Sequence, residues 1–143
     1  MCIQQFKEEE VTMYVHEEEV DGEPLSSIIN EKHENVKYLS GVQLGSNVKA
    51  EPDPIKAIKG ATALIIVVPH QFAEKVLEGM KEHLAPGARA VSLIKGVKAK
   101  GDKIYTYPGI ISSILGIRCS ALGGANIATE GASVSIHEFK DKP

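Results

Sequence analysis

The chain has 143 residues, of which 43% are hydrophobic, and this fits one globular domain rather than general disorder. A net charge of −3 and a pI near 6.0 give no electrostatic reason to expect nucleic-acid binding. Because no apolar run reaches the ~20 residues that span a bilayer, we expect no membrane partner. Cys2 and Cys119 lack metal-ligand spacing and predict reduced thiols in a cytoplasmic protein without a metal site.

The first predicted element is a strand at residues 11–15, where β-branched and aromatic residues dominate. His16 and three glutamates, residues 17–19, follow it. The commoner role of such an acidic run is a solvated turn. A more specific role is known at the end of the second strand of a dinucleotide-binding fold, where an acid can accept the ribose hydroxyls of NAD. Both interpretations stay open at this point.

Three further elements are predicted before the middle of the chain. Pro24 can begin a helix in which Leu25, Ile28 and Ile29 share one face. A short strand at residues 47–51 follows. A second, short helix should then begin at Asp53-Pro54.

The most informative stretch contains two short apolar runs, residues 63–68 and 90–94, each without alternation. Such runs predict parallel strands that are covered on both faces. Ligands bind beyond the carboxyl ends of parallel strands, which here are residues 69–72 and Lys95-Gly96. Between the two strands we expect one amphipathic helix that buries Phe72, Val76, Met80 and Leu84.

The remaining chain continues the alternation of strand and helix. Residues 98–103 predict a polar loop, and a helix with apolar residues 110, 111, 114 and 115 should end at Gly116. A last short strand is expected at residues 119–122. This alternation predicts an α/β fold with a parallel sheet.

Four segments resemble the cytosolic NAD-dependent glycerol-3-phosphate dehydrogenases in order and spacing. They are residues 33–41 (HENVKYLSG), 67–72 (VVPHQF), 92–97 (SLIKGV) and 124–130 (GANIATE). The resemblance implies NAD as cofactor and the reversible reduction of dihydroxyacetone phosphate to glycerol 3-phosphate with NADH. It also implies a homodimer, in which a Rossmann domain precedes a helical domain.

The same resemblance assigns roles to individual residues. Phe72 should pack on the cofactor, and Lys95 should contact the substrate. The backbone at Ala128 should approach the dinucleotide, and Asn126 should brace Lys95. His16 stands where family members carry a phenylalanine against the adenosine, and a histidine ring can also stack there. The resemblance places no catalytic residue in this sequence.

The sequence departs from the family pattern because it has no GxGxxG turn after a first strand. We therefore expect an incomplete Rossmann-type parallel sheet that lacks the first strand and the Gly-rich turn. Either Met1–Phe6 substitutes for that strand, or the second and fourth strands pair directly. Residues 1–130 should form a partial dinucleotide-binding domain, and residues 131–143 a divergent, disordered tail. The alternative function is a catalytically inactive, truncated fragment that binds nucleotide or a partner weakly.

Overall fold

Residues 10–124 are the part of the chain that the structure, a computed structural model, describes. They divide into two units, residues 10–53 and 54–124, and each unit has its own apolar cluster. The predictions for Met1–Phe6, Asn126, Ala128 and the tail lie outside the described residues.

The first unit contains, in chain order, strand β1 (Val11–Tyr14), strands β2 (Glu19–Val20) and β3 (Glu23–Pro24), helix α1 (Leu25–Lys32) and strand β4 (Val48–Glu51). Strands β1 and β4 pair in parallel, and β2 and β3 form a small antiparallel hairpin. The predicted strands at residues 11–15 and 47–51 and the helix after Pro24 are confirmed.

Helix α1 packs on the β1–β4 sheet through its apolar face. Leu25 and Ile29 are fully buried and share a cluster with Val15 and Ala50. The Asn30 side chain adds a polar link, because its Nδ2 donates to the Ala50 carbonyl (3.0 Å) and its Oδ1 accepts from the Ala50 N–H (2.7 Å). These two bonds satisfy both backbone groups of a residue on β4.

The second unit begins with four elements, which are helix α2 (Pro54–Ile58), strand β5 (Ala63–Ile66), helix α3 (His70–Leu77) and strand β6 (Arg89–Ser92). It continues with strands β7 (Val97–Lys100) and β8 (Lys103–Thr106), helix α4 (Tyr107–Leu115) and strand β9 (Arg118–Ala121). Strands β5, β6 and β9 form one parallel sheet in that order, and β7 and β8 form an antiparallel hairpin. The helix that ends at Gly116 is confirmed, and Gly116 adopts the left-handed conformation (φ 69°).

Within each unit, the parallel strands occupy neighbouring positions of the Rossmann order. In the order 3-2-1-4-5-6, strands β4 and β1 are the third and second, and β5, β6 and β9 are the fourth to sixth. The described strands thus form two separate parallel sheets, one in each unit. Direct pairing of the second and fourth strands, one of the two alternatives, is not the arrangement of the described residues.

Within residues 54–124, helices cover only one face of the sheet formed by β5, β6 and β9, which differs from the expectation that both faces are covered. Leu64 and Ile66 are buried under α3 and α4, whereas the alternate residues Ile65 and Val67 are 60% and 61% exposed. The two crossovers, β5 to β6 and β6 to β9, run in the same direction. Since such crossovers are right-handed, both place their helices on the same face.

Helix α3 is shorter than predicted and buries different residues. It ends at Leu77, because Glu78 is extended and Gly79 adopts the left-handed conformation (φ 81°). Met80 is buried after the helix rather than within it. The buried residues of α3 are Ala73 and Leu77, and Phe72 is 54% exposed, so its predicted place in the core is wrong.

The predicted polar loop at residues 98–103 is instead the β7–β8 hairpin. The two strands are joined by Gly101-Asp102, and Gly101 adopts a φ of 60°. A Gly-Asp pair is a two-residue hairpin signal, but the lysine-rich flanks hid the strands. The hairpin projects from the end of β6 and leads directly into α4.

Candidate functional site

A cleft of about 680 Å³ lies beyond the carboxyl ends of β5 and β6. One wall is the beginning and outer face of α3, and the other is the segment that joins β6 to β7. The lining residues that matter below are His70, Gln71, Glu74, Lys95, Lys98 and Tyr107. The position agrees with the edge of a parallel sheet at which ligands bind.

Lys95 is held in the cleft by the turn that follows β6. The backbone N–H of Leu93 donates to the carbonyl of Ile66 (2.9 Å), and the N–H of Ile94 donates to the buried Ser92 hydroxyl (3.3 Å). Gly96 then adopts a φ of 94°, which redirects the chain into the hairpin. Lys95 is exposed, and it forms no ion pair with any residue of the described range.

A second lysine of the cleft does have a partner. Lys98, on β7, forms an ion pair with Glu74 on α3, and this hydrogen bond raises the pKa of Lys98. The two side chains are 43% and 41% exposed, so the pair is half-solvated. It joins the two walls of the cleft, because Glu74 belongs to the helix and Lys98 to the hairpin.

The charges of the cleft favour an anion by a small margin. Lys75, Lys95 and Lys98 line it, opposed by Glu74 and Glu78. His70 and Gln71 are the first residues of α3, so the positive end of the helix dipole adds to the lysines. Since Lys98 is neutralised by Glu74, Lys95 is the free cation at the strand end among the residues described.

An aromatic contact fixes the far wall of the cleft. The His70 and Tyr107 rings are tilted by 55° with their centroids 6.0 Å apart, a favourable distance for aromatic rings. Tyr107 is buried at the start of α4, which the Thr106 hydroxyl caps by accepting from the Gly109 N–H (3.3 Å). His70 is thus supported by a rigid neighbour at the N-terminus of α3.

The acidic run after β1 is occupied by contacts within the first unit. Glu17 accepts two hydrogen bonds from Ser26 in the first turn of α1, and these lower its pKa. Glu18 forms an ion pair with Lys37, which lowers its pKa, and accepts a hydrogen bond from the Tyr38 hydroxyl (2.6 Å). Two glutamates of the run, Glu17 and Glu18, are therefore held by structural contacts and are not simply solvated.

The residues predicted for the site lie in different units of the structure. Lys95 and Phe72 belong to the second unit, with Lys95 in the cleft and Phe72 exposed in the first turn of α3. His16 is exposed in the first unit, directly after Val15. Lys98 and Glu74 are cleft residues that the sequence does not single out, because residues 98–103 predict a polar loop and not the hairpin that carries Lys98.

Other kinds of site receive no support from residues 10–124. No three histidine, cysteine, aspartate or glutamate side chains of this range lie close enough to hold a metal ion. In the same range, every helix is too short or too polar to cross a membrane. Burial raises the pKa of the Cys119 thiol, so this cysteine is protonated at neutral pH.

Comparison with known protein families identifies the family of the chain that carries this cleft. Residues 2–138 match the family model for the NAD-dependent glycerol-3-phosphate dehydrogenase N-terminus. This chain belongs to that family. The resemblance found in the four short segments is thus confirmed over nearly the whole sequence.

Individual relatives agree with the family match. A glycerol-3-phosphate dehydrogenase [NAD(+)], cytoplasmic, of Drosophila melanogaster is 51% identical over 132 residues, covering 92% of this chain and 36% of the relative. Glycerol-3-phosphate dehydrogenase [NAD(+)] 1 of Candida glabrata is 43% identical over 138 residues, which is 34% of its length. The chain therefore spans about a third of the length of the curated relatives it matches.

A solved structure supports the fold as well. The glycerol-3-phosphate dehydrogenase of Saccharomyces cerevisiae superposes with a TM-score of 0.81 at 42% identity. The match covers 86% of this chain and 35% of the yeast chain. The Rossmann-type assignment of the two parallel sheets is thereby confirmed.

The residues present fit the cofactor of this family only in part. An exposed aromatic ring at a helix start, Phe72, can stack on a planar ring of NAD. The pyrophosphate, however, is held in Rossmann folds by a GxGxxG turn, and the 143-residue sequence contains none. NAD supplies the hydride chemistry of this family when it is bound.

Proposed function

We propose that this chain carries the substrate-anchoring cleft of an NAD-dependent glycerol-3-phosphate dehydrogenase. In this proposal Lys95 binds dihydroxyacetone phosphate or glycerol 3-phosphate. Members of the family convert these two compounds into each other, with NADH as the reductant and NAD as the oxidant. The observation that carries the proposal is the placement of Lys95 at the carboxyl end of β6, exposed in the cleft and without an ion pair among the described residues.

The chemistry of the substrate explains why a lysine suits this place. A phosphate monoester carries close to two negative charges at neutral pH, and the ketone oxygen gains charge as it is reduced. A lysine ammonium group donates charge-assisted hydrogen bonds to such oxygens. Because Lys95 has no carboxylate partner in the described range, its charge is available to a ligand.

The cofactor side of the proposal depends on three residues. Phe72 stacks on NAD, His16 stacks near the adenosine, and the backbone at Ala128 approaches the dinucleotide. The exposure of Phe72 supports its part, since a ring that binds a cofactor has to be accessible. The parts of His16 and Ala128 depend on the family resemblance alone.

A second candidate function is binding without turnover. It is favoured by the absence of a GxGxxG sequence, because a pyrophosphate without its cradle of backbone N–H groups would be held weakly. The 143-residue chain would then bind glycerol 3-phosphate while contributing little to hydride transfer. In this candidate function Lys95 still binds the ligand in the cleft, but a kinetic assay would detect no turnover.

One experiment separates the two candidates. The purified 143-residue chain is mixed with NADH and dihydroxyacetone phosphate, and NADH oxidation is followed at 340 nm, while glycerol 3-phosphate binding is measured by calorimetry. If the chain binds glycerol 3-phosphate and also oxidises NADH, and if Lys95→Met abolishes the oxidation, the result supports the enzyme. Binding without turnover supports the second candidate, and the absence of both overturns the proposal.

Two properties of the family resemblance extend the proposal beyond the cleft. We propose a cytoplasmic location, which the name of the Drosophila relative supports. We also propose a homodimer, for which light scattering of the purified chain at several concentrations is the test. A constant monomer mass at all concentrations would contradict the dimer.

A further inference from the structure

We infer that Lys98 is a second cation for the phosphate of the ligand and that Glu74 holds Lys98 until a ligand arrives. This inference rests on the proposed function, because it concerns the same cleft. It adds the residue that makes the cleft selective for phosphorylated small molecules. It also assigns Glu74 a role as a competitor of the ligand.

The position of Lys98 supports this role. Lys98 lines the same cleft as Lys95 and follows it by three residues, with the turn at Gly96 between them. Strand β7, which carries Lys98, is paired with β8 along its whole length and so presents this side chain from a regular element. Both lysines are therefore presented from one short segment at the carboxyl end of β6.

The position of Glu74 supports its role as a competitor. Its helix is fixed to the core by the buried neighbours Ala73 and Leu77, and Glu74, about 100° around the helix from Ala73, lines the cleft. There it forms the ion pair with Lys98. While it is paired with Lys98, Glu74 competes with an incoming anion for the same ammonium group.

The solvation of the pair makes such an exchange feasible. Both side chains are about 40% exposed, and ion pairs with this exposure contribute little to stability, since water and salt screen them. A phosphate dianion offers Lys98 more charge and more acceptor oxygens than one carboxylate does. A ligand without a phosphate offers no such replacement, so Lys98 stays with Glu74.

The test compares single substitutions in the 143-residue chain by calorimetric titration with glycerol 3-phosphate and, separately, with glycerol. The variants are Lys98→Met, Lys98→Arg and Glu74→Gln. Lys100→Met is the matched control, because Lys100 is an exposed lysine on the same strand outside the cleft lining. Lys95→Met is included to test the proposed function independently.

We expect Lys98→Met to weaken glycerol 3-phosphate binding at least about fivefold, since a charged hydrogen bond to the phosphate is lost. Lys98→Arg should retain most of the affinity. Glu74→Gln should strengthen binding by roughly two- to fivefold, because the competitor of the phosphate is gone. The control Lys100→Met should bind like the unaltered chain, and the weak affinity for glycerol should not change in any variant.

The outcomes that overturn the inference are distinct from those that overturn the proposed function. If Lys95→Met weakens binding and Lys98→Met does not, the cleft stands and the role of Lys98 is wrong. If Glu74→Gln weakens binding as much as Lys98→Met does, the ion pair only maintains the fold of the cleft, and the inference fails. If neither lysine matters, the proposed function itself fails.

Discussion

Glu17 accepts two hydrogen bonds from Ser26, one from the backbone N–H at 3.1 Å and one from the side-chain hydroxyl. These bonds connect the end of β1 to the first turn of α1, where backbone N–H groups lack partners within the helix. They lower the pKa of Glu17, because they favour its charged form. The acidic run, whose role the sequence leaves open between a solvated turn and a cofactor contact, thus supplies a structural acceptor for a helix.

This contact predicts a pH dependence of stability. Because the pKa of Glu17 is lower in the folded state than the ordinary 4.5, its stabilising effect is complete above the ordinary value. The effect is lost as the pH falls through the lowered pKa. We expect the melting temperature of the chain to fall between about pH 5 and pH 3 by less in Glu17→Gln than in the unaltered chain. Parallel pH curves for the two chains would contradict this account.

The exposure of Phe72 predicts that stability and cofactor binding respond differently to its replacement. Phe72→Leu should change the free energy of unfolding by less than about 1 kcal/mol, since little buried surface is lost. It should weaken NADH binding roughly fivefold or more, because an aromatic stack is lost. Fluorescence titration with NADH measures this, with Tyr105→Leu, an exposed aromatic residue of the same unit on β8, as the control. Equal NADH affinity in both variants would refute the stacking role.

The left-handed turn at Gly96 predicts a local effect on ligand binding. Gly96→Ala strains a backbone at φ 94° by about 1–2 kcal/mol, although the added methyl group meets open space. The turn should relax and displace the neighbouring Lys95, so glycerol 3-phosphate binding should weaken. Gly60→Ala is the matched control, because Gly60 has a φ of 75° with equally open space and lies outside the cleft lining. The prediction fails if both variants bind glycerol 3-phosphate equally well.

The one-sided cover of the second sheet predicts opposite results for neighbouring isoleucines. Ile66→Ala should lower the free energy of unfolding by about 2–5 kcal/mol, because Ile66 is 7% exposed and lies among the apolar residues under the helices. Ile65→Ala, on the bare face, should cost at most about 1 kcal/mol. Denaturant unfolding followed by circular dichroism compares the two. Equal losses would show that the face of Ile65 is covered in solution.

Much of the fold follows from the sequence because apolar patterns locate strands and helices directly. The stripe of Leu25, Ile28 and Ile29 identified α1 and its buried face, and all three residues are buried. The short motifs around Phe72 and Lys95 identified the family, which the family match confirms. These signals are local, so one sequence is enough to find them.

The remaining features depend on contacts between distant residues and could not be predicted in the same way. Apolar runs without alternation predict two covered faces, but whether helices cover the face of Ile65 depends on crossover direction. The ion pair of Lys98 and Glu74 required knowing that a hairpin follows β6. In each case the missing information was tertiary.

Calorimetric titration of glycerol 3-phosphate into the purified 143-residue chain and its Lys95→Met variant tests the central claim most directly. Lys100→Met serves as the control for the loss of one exposed lysine. We expect saturable binding to the unaltered chain, the same affinity for Lys100→Met, and an affinity at least about tenfold lower for Lys95→Met. Unchanged affinity in Lys95→Met would contradict the claim that Lys95 anchors an anionic substrate in the cleft beyond β6.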